Sequence, residues 1–180
     1  QDIRNFNRTH PGRPDGTLTE RGSFAIGELI RQEQIDLSID VHEASIMYPV
    51  VGTYVAHDDA LDIAMMASMM LTATSFDMKC EASPKSLKGL SHREWGDYTD
   101  TLAVLMETPE PFIDRVVGPM TTELLTEGKD EFLAVAAEHG LTFVPYDIDF
   151  GFPMWYRVGR HLSGALEVIR QTAAFFPEKE

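Results

Sequence analysis

Two ionisable side chains close apolar runs in this chain: His42 in "IDVHEAS" and Glu107 in "TLAVLMET". An imidazole can ligate a metal or move a proton near neutral pH. A carboxylate at the end of an apolar run is costly to desolvate unless a charge or donors compensate it, and partial burial lifts it toward general-base range. The bland reading of His42 is a hydrogen-bonded strand-end histidine, and that of Glu107 a strand-end carboxylate turned to solvent. His42 and Glu43 together suggest a metal site, but H-E-x-x-H is not completed, because Ile46 stands where the second histidine belongs. Asn7 and Arg8 precede a Pro-Gly turn. An Arg fork binds a carboxylate bidentately and an Asn amide adds a donor, although an "NR" pair in a loop is also ordinary solvated surface. A third dense stretch, "GLSHREWGDYTD", carries His92, Arg93, Glu94, Trp95, Asp97 and Tyr98. Its bland reading is a polar surface loop pinned by Trp95.

The elements that must position these groups follow from periodicity. "QIDLSIDV" alternates, with Ile35, Leu37, Ile39 and Val41 on one face and Asp36, Ser38, Asp40 and His42 on the other. That is strand spacing, and it places His42 at a carboxyl end. Glu43 should then face away from His42, whereas Asp40 shares its face and can orient the imidazole. Thr17 and Glu20 have capping-box spacing for a helix with Phe24, Leu29 and Ile30 inward. "GTYVAH" and "FDMKCEA" read as short strands. Between them Asp58 or Asp59 caps a helix through about Thr74, whose methionines (Met65, Met66, Met69, Met70) read as core filling. Residues 83–100 read as a long polar connection, and "TLAVLMET" as a strongly apolar strand stopped by Pro109. A helix over 121–139 ends at Gly140, and a last helix from near Pro153 turns Trp155, Val158, Leu162, Leu166 and Ile169 inward. Strands alternating with helices predict an α/β fold with helices covering a mostly parallel sheet. Ligands in such folds bind beyond the carboxyl ends of strands.

The bulk numbers narrow the partners. With 180 residues the chain suits one domain, 1–180. A formal charge of −14 makes it a poor partner for nucleic acid or an anionic membrane, both of which need a basic footprint. The richest apolar run, "DIAMMASMMLTATSF", falls short of the roughly 18 residues of a membrane helix. Cys80 is the single cysteine, which excludes an intrachain disulfide and a thiolate cluster. The expectation is a soluble protein of cytoplasm or periplasm, with no address legible at the N-terminus. There is no P-loop, G-x-G-x-x-G, G-x-S-x-G, C-x-x-C or H-x-x-E.

Taken together and in order, "NFNRTHPG", "IDVHEAS" and "AVLMETPEP" resemble the zinc carboxypeptidase superfamily, closest to its succinylglutamate desuccinylase/aspartoacylase branch. The resemblance spans roughly residues 2–110. It implies a three-layer α/β/α sandwich with a mixed, mostly parallel sheet. It also implies zinc as cofactor, with His42 as the third metal ligand and Glu107 as the group that activates the metal-bound water and shuttles its proton. Asn7 and Arg8 match the pair that grips the free carboxylate of the substrate. Arg4 is the candidate for the arginine that polarises the scissile carbonyl, although its spacing to Arg8 is short. Arg93, just before Trp95 on the stretch leading to Glu107, matches a position lining the specificity pocket, where an arginine would favour acidic substrates. No tyrosine matches the family's convincingly, Tyr98 included.

The chief departure is the absent H-x-x-E, which supplies two of the three zinc ligands in the family. With a first residue inside "DIRNFNRTHPG", the resemblance implies the C-terminal portion of a longer catalytic domain, with an N-terminal segment carrying those ligands. The implied activity is zinc-dependent hydrolysis of an amide bond next to a free carboxylate, as a carboxypeptidase or an N-acyl amino acid deacylase. The substrate is then a small molecule or peptide with a free carboxylate. Two rivals stand: a non-catalytic carboxylate-binding relative of the same fold, and an ordinary α/β domain whose motifs match by chance.

Overall fold

The computed structural model describes residues 5–44, 52–109 and 154–177. The predicted helix over 121–139, Gly140, Arg4 and Pro153 lie outside the described residues. So does Ile46.

The described strands are β1 (Leu37–Ala44), β2 (Thr53–Ala56), β3 (Lys79–Ala82) and β4 (Leu102–Pro109). They form one α/β sheet in the order β1-β4-β2-β3. β1 runs parallel to β4 and β2 parallel to β3, while β2 meets β4 antiparallel, so the sheet is mixed and mostly parallel. β4 lies in the interior of this order, flanked on both edges. That explains its unbroken apolar run, in which every residue but Glu107 is buried.

Helix α1 (Leu18–Gln32) starts at the predicted capping box. The Thr17 backbone N–H donates to Glu20 Oε2 at 2.7 Å, and the Glu20 N–H donates to Thr17 Oγ1 at 3.4 Å. Ile30 is buried, but Leu29 is exposed. Helix α2 (Leu61–Leu71) follows a 3-10 turn, Asp58–Ala60. The cap of that turn is not an aspartate: His57 Nδ1 accepts from the Asp59 N–H at 3.3 Å. The methionines are not the core of α2 either. Met65, Met69 and Met70 are exposed, and the face of Ile63, Ala64, Ala67 and Leu71 packs into the core instead. Ala64 and Ala67 allow the close approach, and Ile63 and Leu71 supply the apolar surface beside them.

The core joins that face of α2 to Tyr54, Ala56, Leu102, Val104 and Met106 of the sheet and to Val168 of helix α4 (Met154–Phe175). Tyr54 Oη donates to the Gly164 carbonyl of α4 at 3.0 Å. The expected inward stripe of α4 is reversed. Trp155, Val158, Leu162, Leu166 and Ile169 are each about half exposed or more, while Tyr156, Arg160, Gly164, Glu167, Val168 and Thr172 are buried. The burial of Arg160 is compensated: its guanidinium donates to Tyr156 Oη at 2.6 Å and to the Asp77 carbonyl, with Met78 Sδ at 3.2 Å. A hydrophobic count cannot see such partners, so it chose the wrong face.

Residues 83–100 are not simply a polar connection. Helix α3 (Ser91–Tyr98) forms within them, and Ser91, His92, Arg93 and Glu94 are all buried. The Glu94 carboxylate accepts the Gly89 N–H at 2.8 Å, and the Ser91 hydroxyl donates to Asp40 of β1. These bonds tie α3 to its preceding loop and to the sheet. Among the described residues, no helix is long and apolar enough to cross a membrane.

Candidate functional site

The site forms where β1 and β4 end side by side. In the parallel register Asp40 pairs with Leu105 and His42 with Glu107, so His42 and Glu107 project from the same face of neighbouring strands. Strand alternation sorts the residues as expected. Asp40 Oδ2 lies 2.9 Å from His42 Nε2. Glu43 turns to the other face and pairs with Arg157 of α4. The contact with Asp40 sets the imidazole tautomer: Nε2 carries the hydrogen, which leaves the Nδ1 lone pair as the coordinating or proton-accepting position.

The N-R pair sits on a 3-10 turn, Phe6–Arg8, laid against these strand ends. The turn holds its own shape. Asn5 Oδ1 accepts the Asn7 N–H at 3.0 Å, the Thr9 hydroxyl donates to the Phe6 carbonyl at 2.8 Å, and Arg8 Nη1 donates to the Asn7 carbonyl at 2.5 Å. Gly12 has φ +76°, and a Cβ there would run into the Glu20 carbonyl and the Phe24 nitrogen of α1. Glycine is therefore what lets the Pro-Gly turn lie flat on the helix. Asn7 Oδ1 accepts the Ser91 N–H at 2.6 Å, and Asn7 Nδ2 lies 3.4 Å from His42 Nε2. Because the hydrogen on Nε2 is given to Asp40, the longer contact is a proximity rather than a bond. A cleft of about 180 Å³ opens along the turn, walled by Arg8, His10, Arg13 and Glu20 among others.

The electrostatics follow from this packing. The Asp40 bond raises the His42 imidazole above its ordinary value, against the pull of burial. The charges of Asp40 and Glu107 add to the rise, and Arg8 opposes it. Burial pushes the Asp40 carboxyl up, but the bonds from His42 and Ser91 outweigh it and leave Asp40 below the usual carboxylate range. Two further histidines face the same carboxylate. Burial holds His10 down at about 4 and His92 at about 4, with Asp40 pulling each the other way. His10 packs edge-on to Trp95 at 5.3 Å, and His92 Nε2 shares a hydrogen bond of 2.9 Å with the Ser83 hydroxyl. Both are neutral structural histidines at pH 7. Cys80 is held up at about 11 by burial and is no nucleophile.

The fold thus brings together four of the sequence-derived candidates: Asn7, Arg8, His42 and Glu107. Arg93 belongs to a different group. It is 2 % exposed, and its guanidinium is taken up by Asp97 at 2.7 and 3.2 Å, with Asp58 at 3.9 Å and the Ser83 carbonyl at 3.4 Å. The Arg93 guanidinium is buried against two partly exposed carboxylates, Asp97 and Asp58, which offset its desolvation. Tyr98 is exposed. Ser91 was not singled out by the sequence. One serine in a polar stretch gives no spacing signal, and only the docking of α3 on β1 reveals its contacts.

Among the described residues, no group of three or more His, Cys, Asp or Glu side chains is placed to hold a metal ion. His42 offers one donor where a catalytic zinc takes three protein ligands, so the described residues alone do not fit a zinc centre. What they define is a carboxylate–imidazole pair beside the Phe6–Arg8 turn, at the carboxyl ends of parallel strands. No protein-family model, curated protein or solved structure matches the chain.

Proposed function

We propose that this chain carries the substrate grip and the proton-transfer carboxylate of a zinc-dependent hydrolase that cleaves an amide bond next to a free carboxylate. The reading takes in the finer fold as well: a three-layer α/β/α sandwich of the zinc carboxypeptidase type. Supporting that fold, α2 and α4 pack with Tyr54 and Met106, while α3 bonds to Asp40, which projects on the other face of the strands. The observation that carries the function is the register of His42 against Glu107 on parallel strand ends, with Asn7 beside His42.

The roles follow from the chemistry of each group. Arg8 offers its fork and Asn7 its amide hydrogens to the free carboxylate of the substrate, which fixes the distance from carboxylate to scissile bond. Glu107 takes the proton of the attacking water and returns it to the departing amine. His42, with Asp40 behind it, would offer Nδ1 as one ligand to the metal. Zinc would acidify the water and polarise the carbonyl, but that requires two further ligands beyond His42. Arg93 has no part in this reading.

The test uses the full-length protein. Bound zinc is measured by elemental analysis, and turnover is followed on N-acyl amino acids and on short peptides, each with its carboxylate free or methyl-esterified. The expected result is bound zinc lost in His42→Ala, and a KM that rises roughly tenfold or more on esterification in the wild type but not in Arg8→Ala. Which of the two substrate series turns over separates deacylase from peptidase. Absence of both zinc and turnover, with carboxylate binding retained through Asn7 and Arg8, would overturn hydrolysis in favour of the non-catalytic binder.

A further inference from the structure

Ser91 bonds to both halves of the site. Its backbone N–H donates to Asn7 Oδ1 at 2.6 Å, and its hydroxyl donates to Asp40 Oδ2, the same oxygen that receives His42 Nε2. It is 1 % exposed, at the first turn of α3. We propose that Ser91 is the positioning residue of this site, setting the sense of the Asn7 amide through its backbone and the tautomer of His42 through its hydroxyl. The inference deepens the proposed hydrolase and, for its effect on turnover, rests on that reading.

An Asn amide can sit either way round, and its two ends are chemically opposite. With Oδ1 held by a backbone donor, Asn7 must turn Nδ2 toward His42 and the ligand side. Since His42 Nε2 already gives its hydrogen to Asp40, the Nδ2 hydrogens remain available to an anion. The reversed amide would set an acceptor against an incoming carboxylate and repel it. On the other side, Asp40 Oδ2 takes two donors at once. The hydroxyl anchors that carboxylate oxygen in place, so the imidazole keeps Nε2–H toward Asp40 and its Nδ1 lone pair directed away. One buried serine therefore links a substrate-binding side chain to a ligating or proton-accepting one, which would otherwise be free to reorient independently.

The backbone allows the two bonds to be cut separately. Ser91 is the first helical residue of α3, where proline is tolerated, and Leu90 before it is already extended (φ −83°, ψ 136°), as a residue preceding proline must be. Ser91→Ala removes the hydroxyl and keeps the N–H, Ser91→Thr keeps both, and Ser91→Pro removes both. The readouts are the ¹⁵N shifts of the His42 ring, the side-chain amide shifts of Asn7, and the split between kcat and KM for an N-acetyl amino acid. Ser91→Ala should mix the His42 tautomers and lower kcat roughly tenfold with KM unchanged, as removal of a supporting bond to a ligand does. Ser91→Thr should restore both. Ser91→Pro should in addition move the Asn7 amide signals and raise KM roughly tenfold. Wild-type His42 shifts in Ser91→Ala, or an Asn7 amide and a KM in Ser91→Pro no different from Ser91→Ala, would overturn the inference. The NMR signals do not need turnover. If the wild type proves inactive while the His42 and Asn7 signals move as stated, the hydrolase reading fails and the positioning role stands.

Discussion

His42 and Glu107 are 65 positions apart in the chain and directly opposite each other in the sheet, paired in register on parallel strands. Neighbouring strands lie roughly 4.8 Å apart, so the pairing delivers an imidazole and a carboxylate to one spot without any loop having to hold them. If Glu107 moves the proton, Glu107→Gln should lower kcat by about 10² to 10⁴ and leave affinity for a carboxylate ligand unchanged. Kinetics and ligand titration on the same preparation check this. Turnover retained in the variant removes Glu107 from the mechanism.

The buried neutral histidines predict an acid-labile fold. His10 and His92 titrate at about 4 in the folded chain, against about 6.5 once exposed. Below pH 6.5 the unfolded chain therefore takes up protons that the folded one refuses, and stability falls until about pH 4. Each histidine contributes on the order of 3 kcal/mol at most across that window, a large share of a domain's total. His42 behaves oppositely. Its raised value makes its contribution complete below pH 6.5 and lost only as pH rises past its folded value. Urea unfolding at pH 7 and at pH 4.5 should show the drop, and His92→Gln should flatten it.

Arg93 should matter for stability and not for specificity. Arg93→Ala takes the guanidinium from Asp97 and Asp58, at a cost of about 2 kcal/mol, moderated because both carboxylates keep solvent exposure and a lysine partner, Lys88 at 3.6 Å and Lys85 at 2.8 Å. Arg93→Lys should not recover it, since an ammonium cannot reproduce the two bonds to Asp97. Unfolding curves measure the cost. A loss confined to acidic substrates, with stability intact, would return Arg93 to the specificity pocket.

Gly96 is required by His57. A Cβ at Gly96 would overlap the imidazole, which is itself held by Asp97 at 3.2 Å and by the Asp59 N–H. Gly96→Ala gains about 1 kcal/mol of helix propensity. It should still destabilise by about 1–2 kcal/mol net, because the buried ring has no room to retreat. A rise in the melting temperature would show that His57 is mobile.

The reversed face of α4 gives a direct comparison. Val168 is fully buried and Leu162 is 59 % exposed. Val168→Ala should cost about 1–3 kcal/mol, and Leu162→Ala, despite the larger deletion, less than about 1 kcal/mol. Equal costs in denaturant unfolding would put Leu162 in the packed interior.

What the sequence determined by itself is what neighbouring residues settle among themselves. The capping box of α1, the alternation of β1 that sets Asp40 with His42 and Glu43 against them, and the unbroken apolar run of β4 all depend on backbone geometry over a few positions. Those periods were legible without the fold. The tertiary structure alone decided that β4 pairs with β1 so that Glu107 meets His42, and that Ser91, at the start of a helix, bonds to both Asn7 and Asp40. It also decided that Arg93 spends its charge on Asp97, and that α4 buries Arg160 instead of Leu162. Each of these turns on a partner far away in the chain, a carboxylate, a carbonyl or a small residue permitting close approach. Their free energies are comparable to the hydrophobic preferences they overrule, and no local pattern records them.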